Sequence, residues 1–335
     1  MNIYVLCPDH NAPSGGIKKL YRHVDVLNRN GFEAWILHRK RGFRCTWFAN
    51  TTRIDTYARA IAAIVRDQES YLVFPEIYGP EIGEYAPGVK KVIFNQSGYY
   101  TFAGYSLDPR ELDSPYLSPD VIAALVVSED TRAYLAYAFP GLAIHRLRNG
   151  IDPQLFGFAE PKRPQIAFMP GKNDEDIIQV INLLKFRGAL AGYTLAPIAG
   201  RSEAEVAAIL GQSLIFLSFG VQEGFALPPA EAMACGCIVV GYDGMGGREF
   251  LRAPLAYPVP AKDVVRFAQI VEQVLALHRR QPQVLATQAR QAAEFIRATY
   301  APAHEEHDIV AFWDALRRGL ATTNRRLMSG SADQP

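Results

Sequence analysis

Apolar and polar positions follow two different rhythms along this chain. Short apolar runs, typical of buried strands, occupy residues 3–7, 34–37, 71–74, 89–94, 123–127 and 143–147, and again residues 166–169, 193–198, 214–218 and 238–241. Between these runs, apolar residues recur at helical spacing, as at Leu20, Val24 and Leu27. Strands that alternate with helices in this way predict an α/β fold with parallel sheets.

The two series of strands meet at residues 157–164, where two prolines and two basic residues predict an interdomain linker. Residues 1–156 would form an N-terminal domain and residues 165–304 a C-terminal domain. We expect a helix over residues 305–321 to cross back to the N-terminal domain, and the polar, aperiodic residues 322–335 to form a flexible tail. Two such sheets facing each other create a cleft, and open α/β sheets bind ligands at the carboxyl ends of their strands.

Composition and charge exclude several classes of protein. The 335 residues include 35 Lys and Arg against 34 Asp and Glu, so the basic excess typical of nucleic-acid-binding proteins is absent and no nucleic-acid partner is expected. The four cysteines lack the spacing of a zinc site or of a disulfide framework. The sequence shows no signal peptide and no apolar window of about 18 residues. We therefore expect a cytoplasmic protein, with peripheral contact at the inner face of the membrane left open.

The densest chemical signal lies in residues 218–236 (SFGVQEGFALPPAEAMACG). This segment leaves a strand, turns through glycines and enters a helix at Pro228 and Pro229, which suit a first helical turn. Glu223 falls in the turn and Glu231 in the helix. Backbone amides at such a turn can face an anion, and carboxylates accept hydrogen bonds from hydroxyls. The mixture suits a ligand with both a phosphate and a polyol.

Residues 223–236 (EGFALPPAEAMACG) closely resemble the Glu-x7-Glu signature of retaining glycosyltransferases of family four. Four further segments resemble that family's motifs in the family's order: residues 14–17 (SGGI), 127–129 (VSE), 148–152 (RNGID) and 246–249 (GGRE). The resemblance covers most of the chain and implies the GT-B fold, in which two Rossmann-like domains with parallel sheets face a cleft.

The resemblance also implies an activity, namely transfer of a sugar from a nucleotide-diphosphate sugar to a hydroxyl of a glycan, a lipid-linked molecule or a small molecule, with retention of configuration. The N-terminal domain would bind the acceptor and the C-terminal domain the donor. Glu223 would bind the transferred sugar at the catalytic centre, and Glu231 the ribose hydroxyls. The residues implied for donor binding are Gly15, Gly16, Lys172, Arg201, Glu223, Gly224, Phe225, Ala226, Leu227, Glu231 and Arg248. No cofactor is expected, because the nucleotide sugar is a substrate.

The chain departs from the family's pattern at three places. The family usually has an arginine and a lysine six residues apart in the phosphate loop, whereas here Lys172 stands alone and Arg248 is a hypothetical substitute. Ala226 replaces the second glycine of the usual EGFGLP. A histidine near the reacting sugar is replaced by Gln96 (or Asn95), and an amide can bind a sugar hydroxyl but cannot titrate as a base.

Two other patterns receive ordinary explanations. Residues 174–176 (DED) match the Asp-x-Asp of metal-dependent transferases, but acidic residues where a helix begins are commonly caps and dipole partners, so we predict no metal. Residues 244–247 (GMGG) resemble a dinucleotide loop, yet no GxGxxG follows the first strand, which argues against a hydride-transfer enzyme.

A basic and aromatic segment, residues 38–48 (HRKRGFRCTWF), follows the second strand on the expected acceptor side. Its candidate binding residues are Arg39, Lys40, Arg41, Arg44 and Trp47. Two interpretations remain open, a solvated loop with a few packed aromatics, or a patch for a phosphorylated or lipid-linked acceptor or an anionic membrane surface.

Two alternative functions stay open beside the transferase. One is a nucleotide-sugar epimerase or hydrolase on the same scaffold. The other is a non-catalytic module that binds nucleotide or glycan, which the missing histidine and arginine would explain. The nucleobase, the sugar, the acceptor and the oligomeric state depend on pocket shape and loops, which the motifs leave open.

Overall fold

The computed structural model describes residues 1–330 of the chain, with side chains through residue 319. These residues form two α/β halves, each built on one parallel sheet. None of the helices in the described part of the chain is long and apolar enough to cross a membrane.

The N-terminal half contains a fully parallel sheet of seven strands within the described residues, in the order β3-β2-β1-β4-β5-β6-β7. Its strands are β1 (Asn2–Leu6), β2 (Glu33–His38), β3 (Ile54–Thr56), β4 (Ser70–Pro75), β5 (Lys90–Asn95), β6 (Val121–Val126) and β7 (Ile144–Arg146). The helices are α1 (Gly15–Arg29), α2 (Tyr57–Arg66) and α3 (Glu129–Ala138), with 3-10 turns at Glu76–Gly83, Gly98–Tyr100 and Pro115–Leu117. The hydrophobic pattern did not predict β3, because its three residues do not form an apolar run.

The C-terminal half contains a second parallel sheet, ordered β12-β11-β10-β8-β9 within residues 1–330. Its strands are β8 (Arg163–Phe168), β9 (Thr194–Pro197), β10 (Ser213–Ser218), β11 (Ile238–Tyr242) and β12 (Tyr257–Val259). The helices are α4 (Asp174–Phe186), α5 (Glu203–Gln212), α6 (Leu227–Ala234), α7 (Val264–Arg280), α8 (Pro282–Thr299) and α9 (Pro302–Gly330).

Burial explains why the central strands are readable from the sequence. Every residue of β4, β10 and β11 is buried, whereas the edge strand β9 has no buried residue. Parallel strands covered by helices on both faces are apolar throughout rather than alternating, which is the pattern that the sequence shows.

Serines begin three of the helices that follow strands. Ser14 caps α1 by accepting a hydrogen bond from the amide of Ile17, and Ser128 caps α3 by accepting from Thr131. Ser202 caps α5 in a reciprocal capping box with Glu205. These caps fix the loops at the carboxyl ends of the strands, where the cleft between the halves lies.

Helix α9 crosses back from the C-terminal half and packs on α1. Trp313 is fully buried, and its Nε1 donates a hydrogen bond to His23 Nε2 at 2.9 Å. Glu305, also buried, accepts from Lys19 at 2.7 Å and from Arg22. One indole and one carboxylate thus hold the C-terminal helix against the first helix of the chain.

The observed end of α9 differs from the sequence prediction. The helix begins at Pro302 and continues to Gly330, through nine residues assigned to the flexible tail, while residues 331–335 lie outside the described part. Aperiodic polarity indicates that a segment is not packed, but a helix that has already formed can extend through such residues.

The predicted linker lies against the C-terminal half rather than free between the halves. Strand β8 already begins at Arg163, inside the predicted segment. Lys162 Nζ donates to the carbonyl oxygens of Leu210, Gly211 and Cys235 at 3.2, 2.9 and 2.6 Å. The chain therefore connects the halves twice, through this anchored segment and through the passage from α8 to α9.

The buried His23 gives a prediction for the pH dependence of stability. Burial lowers the pKa of His23 to about 3, below its unfolded value of about 6.5. The unfolded chain therefore binds a proton below pH 6.5 that the native protein does not, and the free energy of unfolding falls as pH drops toward 3. Relative to His23→Gln, wild-type protein should lose about 2 kcal/mol between pH 7.5 and pH 5 in urea titrations. Parallel curves for the two proteins would contradict this origin of acid sensitivity.

Candidate functional site

The carboxyl ends of the two sheets meet at a cleft, and the segment between β10 and α6 forms its C-terminal wall. Glu223 lies in this segment in an extended backbone conformation that pairs with Met245. Its amide donates to Gly244 O at 2.8 Å, and its carbonyl accepts from the amide of Gly246 at 3.1 Å. These bonds join the loop that follows β10, which contains Glu223, to the loop that follows β11.

Lys172 is the ion-pair partner of Glu223. Lys172 Nζ lies 2.6 Å from Glu223 Oε1, and the lysine side chain is 66% exposed while the glutamate side chain is 20% exposed. From the sequence, the lysine was expected to bind a phosphate and the carboxylate a sugar. The structure brings the two side chains together as an ion pair.

Three glycines leave the room that Glu223 and its neighbour occupy. A Cβ on Gly220 or Gly244 would lie 2.9 or 3.0 Å from Glu223 Cγ, and Gly244 also has a positive φ of 64°. A Cβ on Gly246 would lie 2.1 Å from Gly224 O. Gly246 therefore makes space for the backbone of the Glu223 loop.

The two halves touch, backbone against backbone, at Gly224. A Cβ on Gly224 would lie 1.7 Å from the carbonyl oxygen of Gln96, so only glycine fits. Gln96 Nε2 donates to Gly16 O at 3.1 Å, and a Cβ on Gly15 would lie 2.9 Å from Leu227 Cδ1. The glycine loop, Gln96 and the Glu223 loop, which the sequence analysis placed at one site, are thus neighbours.

The amides of residues 224–227 donate no hydrogen bond to any residue that the structure describes. Phe225 and Ala226 are buried, and the Phe225 ring packs on Tyr300, so Phe225 offers the cleft its backbone rather than its ring. Buried amides are normally paired, and unpaired ones at a cleft point to a ligand or to water. Since Pro228 and Pro229 lack N–H groups, this loop supplies the donors that the start of α6 cannot.

Ala226 adopts the left-handed conformation that the family's glycine would favour. Its φ is 66° and its ψ 63°, immediately before α6. For a residue with a Cβ this conformation costs roughly 1–2 kcal/mol. The loop keeps the geometry expected of a glycine there despite the substitution.

Glu231 projects from α6 toward α1 and α5. Its pKa is raised to about 7, chiefly by desolvation and also by the carboxylate of Glu203, while Lys18 and Lys19 oppose the shift. The carboxylate makes no hydrogen bond with the described residues, whereas Glu203 forms an ion pair with Lys18 across the cleft. Glu231 therefore retains its capacity to accept hydrogen bonds. The sequence analysis missed Lys18 and Glu203, although Lys18 directly follows the glycine loop.

Arg201 and Arg248 are both engaged on their own half. Arg201 lies 3.3 Å from Glu205, one helical turn along α5, and half of its side chain is exposed. Arg248 lies 3.1 Å from Asp243. It also approaches Tyr99 of the N-terminal half, where its charge opposes the rise in the pKa of Tyr99 that burial causes. Neither has a contact with Lys172, so the structure does not pair Arg248 with the phosphate loop.

Lys262, which no motif indicated, is the cation that contacts the loop of Lys172. Its Nζ lies 2.9 Å from Asn173 Oδ1 and 3.1 Å from Asp176 Oδ2. The residue follows β12, almost a hundred positions along the chain, and sequence spacing alone could not have placed it there. A second basic residue is thus present near the loop, from a different element than the family pattern uses.

Two acidic residues at the start of α4 form hydrogen bonds and an ion pair with other groups of the protein. Asp174 accepts from the amide of Gly171 at 2.7 Å, and Asp176 accepts from Tyr242 and pairs with Lys262. Asn173, not an aspartate, occupies the cap position. The aspartates therefore do not cap the helix, but they lie in its first turn, as expected of dipole partners, and they also stabilise the loop and its neighbours. Among the described residues, no cluster of three His, Cys, Asp or Glu could hold a metal ion.

Glu249 bridges the two halves. Its Oε1 accepts from Arg146 at 2.5 Å and from the Tyr300 hydroxyl at 2.6 Å, and its Oε2 accepts from the Glu129 amide at 3.2 Å. Glu249 is the acidic residue of the GGRE segment that resembles a motif of the family. All of these hydrogen bonds go to protein partners.

Glu76 is a further buried carboxylate at the cleft that the motif analysis missed. It follows β4 directly, is 4% exposed and accepts from the amide of Gln96 at 2.9 Å. Burial raises its pKa to about 7 against the opposing effect of backbone amides that include Ser97. Its position after a buried strand was a signal, because the carboxyl ends of neighbouring parallel strands share one edge.

The basic segment after β2 is largely tied to its own surroundings. Arg39 pairs with Glu81 at 3.3 Å and with the hydroxyl of Tyr85, and Arg44 donates to Thr52 O at 3.0 Å. Trp47 is half-buried against Phe48, with ring centroids 4.5 Å apart. The side chains of Lys40 and Arg41 are exposed and have no ion pair with the described residues, so two cations remain accessible there.

A separate groove of about 640 Å³ runs along the flank of the N-terminal half. Phe102, Tyr134 and Tyr137 line it together with the acidic Glu111 and Asp113. Its aromatic and acidic lining suits apolar or neutral groups rather than phosphates.

Residues 198–292 match the family model for glycosyl transferases group 1. This region includes Glu223, Glu231 and Arg248, but less than a third of the chain. The chain is also 24% identical over 161 residues to an alpha-1,6-glucosyltransferase of Actinobacillus pleuropneumoniae serotype 7 (strain AP76), an alignment that spans 46% of each protein. The match therefore covers less than half the length of this relative.

Solved structures share the whole architecture. Sucrose-phosphate synthase of Thermosynechococcus elongatus superposes with a TM-score of 0.66 at 13% identity, over 96% of this chain and 99% of that one. Anabaena HepE, solved with UDP and glucose, gives a TM-score of 0.66 at 12% identity over 94% and 100%. These similarities confirm the predicted fold class, GT-B, with two parallel sheets facing a cleft.

The contact at Gly224 can be tested by adding a single methyl group to this residue. Gly224→Ala places a Cβ on the carbonyl of Gln96, so we expect a loss of about 1–3 kcal/mol in stability. Gly141→Ala is the matched control, since its Cβ would meet nothing within 4 Å, and it should stay within about 0.5 kcal/mol of wild type. Equal melting temperatures and equal X-ray scattering radii for the two variants would contradict the contact.

Proposed function

We propose that this protein is a retaining glycosyltransferase that transfers a hexose or related sugar from a nucleoside-diphosphate sugar to a hydroxyl acceptor. The observation that carries the proposal is the arrangement of Glu223, the unpaired amides of residues 224–227 and Glu231 along one wall of the cleft. Carboxylates that accept from hydroxyls flank donors that suit an anion. The match to glycosyl transferases group 1 over the same segment supports this assignment.

In the proposed donor complex, Glu231 accepts hydrogen bonds from the ribose hydroxyls, and the amides of residues 224–227 bind the sugar and diphosphate. Gly15 and Gly16 let the N-terminal loop approach the diphosphate. The phosphate competes with Glu223 for Lys172, so donor binding frees the carboxylate for hydroxyls of the sugar. HepE, solved with UDP and glucose, supports a uridine nucleotide as the first donor to test.

In the proposed reaction, the bond between the anomeric carbon and the diphosphate oxygen breaks, and the acceptor oxygen bonds to that carbon on the same face. The acceptor's proton leaves with the nucleoside diphosphate. Fixed amides and Lys172 stabilise the negative charge that develops on the leaving group. Gln96 binds a hydroxyl near the reacting carbon, and Glu223 orients the sugar.

Protein groups meet the charge of the diphosphate in this proposal, without a metal ion. Lys262 adds a second cation beside the loop of Lys172. It would take the role for which the sequence suggested Arg248. Asp174 and Asp176 already accept from Gly171, Tyr242 and Lys262. We therefore propose that they stabilise the loop in the donor complex as well.

The proposed acceptor is a glycan or a lipid-linked molecule that approaches from the N-terminal half. An alpha-1,6-glucosyltransferase among the relatives supports a saccharide hydroxyl as the acceptor. Arg39, Lys40, Arg41, Arg44 and Trp47 form the proposed acceptor or membrane patch, in which Lys40 and Arg41 are available to a phosphate. Four buried, unpaired cysteines fit a reducing compartment, and we propose a cytoplasmic location with peripheral membrane contact.

Replacing the two glutamates should have different kinetic effects. Glu223→Gln should lower kcat for sugar transfer from UDP-glucose at least tenfold, because it removes charge at the reacting sugar. Glu231→Gln should chiefly weaken donor binding, measured by calorimetry. Glu160→Gln, a surface carboxylate paired with Arg290, is the matched control and should behave as wild type. Full activity of both cleft variants would refute the assignment.

The same assays separate the alternatives. Wild-type protein is first screened by thermal shift with UDP, GDP, ADP and their sugars, since a ligand at 100 times its Kd adds about 2.7 kcal/mol of stability. Release of free or epimerised sugar without an acceptor would favour a hydrolase or epimerase. Binding without turnover on any acceptor would favour a non-catalytic module.

Glu231 predicts a pH dependence of donor binding. Its pKa is raised to about 7, so the carboxylate ionises as pH rises from 6 to 8. Hydrogen bonds from ribose hydroxyls to an ionised carboxylate are stronger by about 1 kcal/mol, so the Kd for UDP-glucose should fall about three- to fourfold over that range. In Glu231→Gln the Kd should not change with pH. A wild-type Kd that is flat between pH 6 and 8 would contradict ribose binding by Glu231.

A further inference from the structure

Glu76 lies on the opposite side of the cleft from the donor residues, in the turn that follows β4. Its side chain is almost fully buried, and its carboxylate accepts from the amide of Gln96 at 2.9 Å. The backbone amides of Ser97 and of Glu76 itself lie close enough to this carboxylate to oppose the rise of its pKa. The Glu76 carboxylate thus faces the amides at the start of the turn that follows β5 and accepts a hydrogen bond from the first of them, that of Gln96.

This turn is the part of the N-terminal half that the Glu223 loop touches. A Cβ on Gly224 would lie 1.7 Å from Gln96 O and 2.9 Å from Ser97 Cα. The Gln96 side chain in turn donates to Gly16 O at 3.1 Å. Any displacement of the turn would therefore move both the glycine loop and the surface on which Gly224 rests.

No other side chain substitutes for Glu76 at these amides. The Ser97 hydroxyl and the side-chain carbonyl oxygen of Asn95 (Oδ1) are buried and have no hydrogen-bond partner among the described residues. The side-chain NH₂ group of Asn95 donates to the hydroxyls of Thr101 and Tyr116, each at 2.8 Å. Within the N-terminal half, the Glu76 carboxylate therefore holds the backbone of the turn, and Gly224 of the C-terminal half lies against the same backbone.

We propose that Glu76 is a positioning residue for sugar transfer, which fixes the Gln96–Ser97 turn and through it the spacing between Glu223 and the acceptor half. The inference rests on the proposed function, and it assigns Glu76 no contact with substrate. A carboxylate suits this task because both of its oxygens accept hydrogen bonds, whereas in a glutamine one of the two positions becomes an NH₂ donor.

The test compares Glu76→Gln with Asp120→Asn. Asp120 also accepts a backbone amide, that of Gly88 at 2.8 Å, and pairs with Lys91 at 3.1 Å, but it precedes β6 at the opposite edge of the same sheet. Both variants should lose stability. Glu76→Gln alone should lower kcat by about 10–100-fold, since small misplacements of reacting groups are costly. Its Kd for UDP-glucose should stay within twofold of wild type, and the amides of Gln96 and Ser97 should exchange hydrogen faster.

The outcomes are distinguishable. If wild-type protein transfers no sugar, the proposed function fails and this inference with it. If wild-type protein is active and Glu76→Gln keeps its kcat, or loses no more than Asp120→Asn, only the positioning role is overturned. Should Glu76→Gln fail to fold, Glu76→Asp, which keeps the charge but shortens the side chain, takes its place with the same expected loss of kcat at unchanged Kd.

Discussion

Backbone meets backbone where Gly224 lies against the carbonyl of Gln96, and the geometry of the cleft depends on that contact. No side chain separates the halves there, so main-chain atoms set their distance at this point. Gly244 and Gly246 leave room for the loop on one side, and Glu76 holds the turn on the other. The groups proposed to act on the sugar lie directly beside this contact, where a displacement of one ångström matters most.

Charge in the cleft is balanced locally. Lys172 pairs with Glu223 within the C-terminal half, while Lys18 with Glu203 and Arg146 with Glu249 join the two halves. The net charge of +1 is therefore compatible with a site that binds an anion, because the cations it needs are already positioned. Glu231 differs from these carboxylates in having no hydrogen-bond partner among the described residues, so its acceptor capacity is left to a ligand.

Binding of an anionic ligand would rearrange these pairs rather than bring new charge to the site. Lys172 is two-thirds exposed and can exchange one oxygen partner for another without moving its backbone. Lys262, which follows the edge strand β12, donates to Asn173 of the same loop. The amides of residues 224–227, which include Ala226 in its left-handed conformation, donate to no described residue. In the proposed reaction, these amides and the exposed Lys172 side chain would together stabilise the leaving group.

The sequence by itself determined the strands apart from the short β3 and β12, the α/β class, and the segment around Glu223 and Glu231. These are local properties, since a strand covered on both faces must be apolar and a strand–turn–helix is contiguous in the chain. Only the tertiary structure decided that Glu76 holds Gln96, that Lys262 rather than Arg248 reaches the loop of Lys172, and that Glu249 bridges the halves. The partner of a charged side chain is set by distance in space, and packing brings together segments that are remote in sequence.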